Sequence, residues 1–394
     1  MGTKIFAAAL LGLLIASPAA AGVQTPAQAL ATDAAEYAQL FDVPLAEAMT
    51  RLRAQEASVA ATDRIAATYG DRLAGIAIEH KPQYRVVVLL TGDVPVPDSE
   101  IRAGGMKVPV VFRTGAAATR DEVVASIEKN QAAIRAALPH PPALAADSRT
   151  GEMVVMVFGG DSDALGSEAL RAQFAEMTGV PVRIEAIDRV AVDLAIEGGA
   201  RVEGLVEGKR YYCTTGFVVT DGVGTGVVTA AHCPDALDYL DAANTRTPLT
   251  YAGQWGWGYR DVQLHTSEER LEPVFYADTA KSAARTVRTW RNRTSTRAGD
   301  VVCHRGETTG YSCAEVEYVD FAPAGDLCGG ACLPRWVAVN GPQCKGGDSG
   351  APVFLGTTAF GIVKGGNYLP DRSCRFYYYM STDYLPDGWT LLHR

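Results

Sequence analysis

The chain has 394 residues, 47% of them hydrophobic and 21% charged; this excludes a wholly disordered polymer and leaves apolar material for two packed cores. Its formal net charge is −9 with Lys and Arg scattered, so it offers no basic surface for nucleic acid or anionic lipid.

At the start, Lys4 precedes an apolar run over residues 5–16, then Pro18 and the small residues Ala19, Ala20 and Ala21. This pattern is that of a cleaved signal peptide, residues 1–21, cut after Ala21. The run is shorter than the roughly 20 apolar residues a membrane span needs. The expectation is an exported, soluble protein, extracellular or periplasmic, with no membrane partner.

Residues 25–70 are rich in Ala, Glu, Arg and Leu at helical spacing, as in Leu45, Met49 and Leu52, and predict two or three amphipathic helices. Strands are predicted over 73–78, 84–90 and 108–113, then a helix over 121–138. The Pro- and Ala-rich stretch 139–146 reads as a joint, splitting the region 22–195 near 139–150. Beyond it, strand 153–158, helix 167–177 and strand 182–187 predict a second compact α/β element. Gly92-Asp93 and Gly160-Asp161 read as ordinary turns. From Tyr211 onward, short β-type runs alternate with Gly, Asn, Asp and Pro, which predicts an all-β sandwich or a pair of barrels.

All eight cysteines (Cys213, Cys233, Cys303, Cys313, Cys328, Cys332, Cys344 and Cys374) lie in that second half. An even count confined to one region points to disulfides in an oxidising compartment. Cys328 and Cys332 have a metal-like spacing, yet no second pair with nearby histidines completes a tetrahedral site, so neither metal nor cofactor is expected.

Three segments carry chemistry. In Gly346-Gly347-Asp348-Ser349-Gly350-Ala351-Pro352-Val353 a serine sits in a glycine-rich turn before an apolar strand. Such a turn can aim backbone N–H groups at one point, as an oxyanion requires. Val227-Val228-Thr229-Ala230-Ala231-His232-Cys233 mounts a histidine at a strand end, where an imidazole can take a serine proton and return it to a leaving amine. Tyr259-Arg260-Asp261-Val262-Gln263-Leu264 places an acid before an alternating strand, suited to orienting that imidazole. The order His232, Asp261, Ser349 differs from the α/β-hydrolase and subtilisin orders.

Together TAAHC, RDVQL and GGDSGAPV resemble the chymotrypsin family. Within it, Cys213-Thr214-Thr215-Gly216-Phe217, Cys303 with Thr308-Thr309-Gly310 and Cys313, and Val363-Lys364-Gly365-Gly366 are similar to the bacterial alpha-lytic protease and streptogrisin branch. The resemblance covers about residues 196–394. It implies an all-β protease domain of two six-stranded antiparallel β-barrels, preceded by an α+β pro-region, 22–195, that assists folding and inhibits the enzyme. It implies a secreted serine endopeptidase, without cofactor, acting as a monomer on proteins or peptides. Ser349 would be the nucleophile, His232 the general base and acid, and Asp261 its partner. The N–H groups of Gly347 and Ser349 would form the oxyanion hole, and Lys364, Gly365 and Gly366 would pair with the substrate backbone. Disulfides would join Cys213 to Cys233, Cys303 to Cys313 and Cys344 to Cys374, with Cys328 and Cys332 as a further local pair. A catalytically silent binding or adhesion module on the same barrels is the competing reading.

Two departures matter. Where the branch has an arginine that pairs with the aspartate before the nucleophile, this chain has His304, followed by Arg305. The partner of Asp348 is left open, one alternative being a new amino terminus near Ile196-Glu197-Gly198-Gly199. Lys364 stands where the family has serine, and the spacing after Cys344 is unusual. Gly365 and Gly366 favour aromatic or long apolar side chains in the specificity pocket, whereas the nearby lysines favour acidic ones; the former is preferred.

Overall fold

The computed structural model describes residues 22–187, 192–193, 200–241, 245–268, 271–369 and 373–394. The expected signal peptide, 1–21, and the expected new terminus at Ile196 to Gly199 lie outside the described residues.

Helix α1, Pro26–Phe41, starts at Thr25, whose hydroxyl accepts the Gln28 N–H while the Gln28 side chain accepts the Thr25 N–H; this reciprocal cap satisfies donors that a helix start leaves open. Asp42 in the left-handed region ends it, and α2, Leu45–Thr68, follows. A four-stranded sheet comes next, in the order Leu73–Glu79, Arg85–Thr91, Met106–Ala116, Ser99–Ala103. Its core of Ile76, Ile78, Val86, Val88, Leu90, Val108 and Val110 packs with Ala54 of α2. Gly104 is required there, because a Cβ would run into the α2 backbone at Ala54.

Helix α3, Arg120–Ala136, has the same kind of cap from Thr119 and Glu122. Its Val123, Ile127 and Ile134 share a core with Leu144, Met153, Val155 and Phe174, beside α4, Gly159–Leu165, and α5, Ser167–Thr178. The residues of the expected joint at 139–150 are thus built into the fold, and the core shared by α3 lies on both sides of them. The alanine-rich stretch is the buried strand Ala143–Asp147, paired with Glu152–Phe158. Small side chains read as linker by composition, but they suit a strand covered on both faces.

The second half is mostly β. Strands Val301–Gly306, Pro352–Leu355, Thr358–Tyr368, Cys374–Ser381, Trp336–Asn340 and Gly310–Ala322 pair in that order, and the first pairs with the last, so six strands close into a barrel. Closure leaves no open edge in the ring. The other part comprises a five-stranded sheet, Thr250–Trp255, Val262–Thr266, Thr225–Thr229, Val218–Thr220 and Thr390–Leu391, and a four-stranded sheet containing Lys209–Thr214 and Arg201–Val206. Gly310–Ala322 runs past the barrel, where its far end takes Ala143–Asp147 as a neighbour, with Phe321 opposite Ala145. The N-terminal sheet therefore extends the barrel sheet.

The two halves also share a core. Tyr37, Phe41, Ala48 and Leu52 of α1 and α2 pack in one cluster with Val301, Val316, Phe354 and Phe360. Among the described residues five arginines of the second half reach acids of the first: Arg285 to Asp33 at 2.9 Å, Arg291 to Glu56 at 2.7 Å, Arg297 to Asp63, Arg335 to Glu128 at 3.7 Å and Arg375 to Glu185 at 3.6 Å. Four disulfides are present: Cys213–Cys233, Cys303–Cys313, Cys328–Cys332 and Cys344–Cys374.

Candidate active site

His232 follows strand Thr225–Thr229, in a tight turn where Cys233 N–H donates to Ala230 C=O at 3.1 Å. The Cys213–Cys233 disulfide fixes that turn to the neighbouring sheet. Asp261 immediately precedes Val262–Thr266, which pairs directly with Thr225–Thr229, so two adjacent strands deliver the imidazole and the carboxylate to the same end of one sheet. Ser349 comes from the turn before Pro352–Leu355 of the closed barrel. Thr214 N–H donates to Ser349 C=O at 2.7 Å, and Thr214 Oγ1 donates to Gly347 C=O at 3.1 Å, tying the two parts of the domain at this point.

The structure brings the three predicted residues together. His232 Nε2 is 2.8 Å from Ser349 Oγ, and His232 Nδ1 is 2.9 Å from Asp261 Oδ2. Asp261 is 2% exposed and Ser349 fully buried, while the His232 side chain keeps 18% exposure toward solvent. Asp261 N–H points at Met380 Sδ, 3.3 Å away. Burial works to raise the Asp261 pKa, but His232 and Lys364 beside it outweigh that and hold the carboxyl well below the usual carboxylate range.

Gly350 is forced by its surroundings: its φ is +85° and a Cβ would collide with Thr214 C=O and Thr229 Oγ1. Around the turn, the N–H groups of Asp348 and Gly350 are spent within the fold, on Lys345 C=O and Val363 C=O. The predicted oxyanion donors, Gly347 and Ser349, alternate with them, and Gly347 has a φ of +113°.

The question left open by the sequence at Asp348 has a structural answer. Thr309 Oγ1 donates to it at 2.8 Å, the N–H groups of Thr308 and Thr309 at 3.2 Å, and Lys345 N–H at 3.0 Å. Burial nonetheless pushes its pKa up to about 6. His304 does not pair with it; its ring lies 4.7 Å from that of Tyr377, and Nε2 meets Thr309 Oγ1 at 3.3 Å. Arg305 turns to Glu307 instead. Thr308-Thr309 was visible in the sequence as a motif, but nothing local marks it as the cradle of Asp348.

Of the expected substrate strand, Gly365 and Gly366 pair antiparallel with residues 193 and 192 of this same chain. Lys364 lies at a register shift between Val363 and Gly365. Its side chain is buried and turns to Asp261, with Nζ 3.4 Å from Oδ2, a contact the sequence reading missed.

A curated relative, streptogrisin-C of Streptomyces griseus, is 25% identical over 197 residues, which cover 47% of this chain and 41% of that protein. The chain is similar to a streptogrisin over about half of its length. The streptogrisin-type match thus accounts for less than half of either protein. No family model matches the chain. Among solved structures, Thermobifida fusca protease A is 23% identical, covering 50% of this chain and 99% of its own, with a TM-score of 0.40. Nocardiopsis protease is 22% identical, covering 50% and 98%, with a TM-score of 0.39. An alpha-lytic protease homolog, N4, is 22% identical, covering 48% and 93%, with a TM-score of 0.36.

Proposed function

We propose that residues 196–394 are a serine endopeptidase, made as a precursor in which residues 22–195 are the pro-region, and exported through the signal peptide 1–21. The observation that carries this reading is the relay Ser349 Oγ, His232 Nε2, His232 Nδ1, Asp261 Oδ2, with its two links of 2.8 and 2.9 Å. With Nδ1–H donated to the carboxylate, Nε2 is the basic nitrogen that faces the hydroxyl. Ser349 Oγ attacks a peptide carbonyl while its proton passes to Nε2. The imidazolium, held by Asp261, gives that proton to the leaving amine, and water then cleaves the acyl-enzyme by the same route. Gly347 and Ser349 N–H groups would receive the developing oxyanion.

The short strand at 192–193 supports the precursor reading. It lies antiparallel on Gly365 and Gly366, the way an extended peptide adds to an open strand, and it belongs to the chain's own N-terminal half. The side chain of Lys364 turns to Asp261, which removes one of the nearby lysines as a reason for acidic specificity. Four disulfides suit an oxidising compartment. No helix among the described residues is long and apolar enough to cross a membrane.

The test is labelling of the secreted protein with a fluorophosphonate probe. Modification at Ser349, lost in His232→Ala, is the expected outcome. A folded protein that stays unlabelled would be the silent binding module instead.

A further inference from the structure

Lys364 sits in the strand Thr358–Tyr368 with its side chain only 2% exposed. An ammonium this deep is costly unless it is paired. Its Nζ is 3.4 Å from Asp261 Oδ2, and Oδ2 is also the oxygen 2.9 Å from His232 Nδ1. One carboxylate oxygen therefore serves both the ammonium and the imidazole. On its other side the ammonium lies 5.6 Å from the ring of Trp336, which is fully buried and offers a favourable π-face.

This inference rests on reading Ser349 and His232 as nucleophile and base. We propose that Lys364 is a positioning residue that shares the Asp261 carboxylate with His232 and keeps the imidazole neutral, and so competent as a base, at lower pH than an Asp–His pair alone would. The physical reason is direct. In an Asp–His pair the carboxylate favours the imidazolium, so protonation silences the base at mildly acidic pH. A fixed ammonium beside the same oxygen offsets part of that attraction and repels the imidazolium itself. Among the described residues the charged groups facing the Asp261 carboxylate are His232, from the turn after Thr225–Thr229, and Lys364. Strand Cys374–Ser381 presents the uncharged Met380 sulfur, strand Trp336–Asn340 presents the indole, and the neighbouring Arg260 turns outward to Asp387 at 2.8 Å. The depressed carboxyl of Asp261 agrees with this arrangement.

The experiment is the pH dependence of fluorophosphonate labelling of Ser349 in the secreted protein with Lys364, with Lys364→Met and with Lys364→Arg. Two unit charges about 6 Å apart at an effective dielectric constant of about 20 correspond to roughly 1 to 2 pH units. The acidic limb is expected to move up by about that much in Lys364→Met and to stay near the wild-type position in Lys364→Arg. An unmoved limb in Lys364→Met, or an equal movement in both variants, overturns the proposal while leaving the peptidase reading intact. Wild-type protein that labels at no pH overturns both. Should Lys364→Met fail to fold, nitrogen NMR of the His232 ring in the full-length Ser349→Ala and Ser349→Ala/Lys364→Gln chains decides: a titration midpoint that moves up in the Lys364→Gln chain supports the proposal, and one that stays put or moves down refutes it.

Discussion

Asp33 lies in α1, far from the candidate active site in sequence, yet it is fully buried and so is its partner Arg285. Its carboxylate accepts from Arg285 Nη1 at 2.9 Å, from Tyr311 Oη and from Gly356 N–H. Asp33→Ala would leave a guanidinium, a phenol and an amide without that acceptor. Breaking a buried ion pair from one side costs about 3 to 5 kcal/mol, because an uncompensated charge stays in the core. Arg285 keeps contacts with Gln24 Oε1 at 2.9 Å and Gly356 C=O at 3.1 Å, which moderates the loss; the two other stranded donors add to it. The expected net is a loss of about 4 kcal/mol, a large part of the 5 to 15 kcal/mol that typically holds a folded protein together. The assay is urea unfolding of the full-length chain in a Ser349→Ala background, followed by tryptophan fluorescence and extrapolated linearly. The double variant Asp33→Ala/Arg285→Met removes the stranded charge and should be more stable than Asp33→Ala alone. Removing Glu168, which pairs with Arg171 on the exposed face of α5, should change nothing measurable. A loss below about 1 kcal/mol for Asp33→Ala, or a double variant weaker than the single, would refute the claim that the halves are tied by buried charge.

Three further outcomes are expected. Residue 193 is still paired with Gly365, while Ala200 is anchored in the second half through Thr215, just after Lys209–Thr214, so the amino terminus of matured protein should fall at one of residues 194–200. N-terminal sequencing checks this, and Ser349→Ala should remain uncut if the chain processes itself. Gly350→Ala forces a Cβ into Thr214 and Thr229 at a φ of +85°, so secreted folded protein should fall sharply, by a destabilisation of more than about 2 kcal/mol, beyond the left-handed penalty alone. Asp348 has a pKa pushed up to about 6 by burial. A carboxyl that holds its proton more tightly when folded contributes stability below the ordinary carboxylate range and loses it as pH rises through about 6. Measured against Asp348→Asn, wild-type protein should therefore lose stability between about pH 4 and pH 6, and a flat difference across that window would contradict the burial argument.

Much of the architecture could be read from local pattern. Helical spacing over 25–70 and 121–138 foretold helices that the structure has, and apolar runs foretold strands such as Arg85–Thr91 and Glu152–Phe158. His232, Asp261 and Ser349 were readable as candidates because each stands at a recognisable strand end or glycine turn. The strand Ala143–Asp147 escaped, since a short alanine run looks the same whether it crosses a linker or lies between two covered faces.

Periodicity and spacing report only on neighbours a few residues apart, and for that reason the chain's letters determined its helices, its strands and the residue types available for chemistry. Tertiary structure alone decided which charges meet. Asp33 and Arg285 are 252 positions apart, Thr309 cradles an aspartate 39 positions later, and Lys364 turns inward to Asp261 instead of toward a substrate. Such pairings follow from how sheets close and stack in space, and a buried charge leaves no local signature of the partner that compensates it.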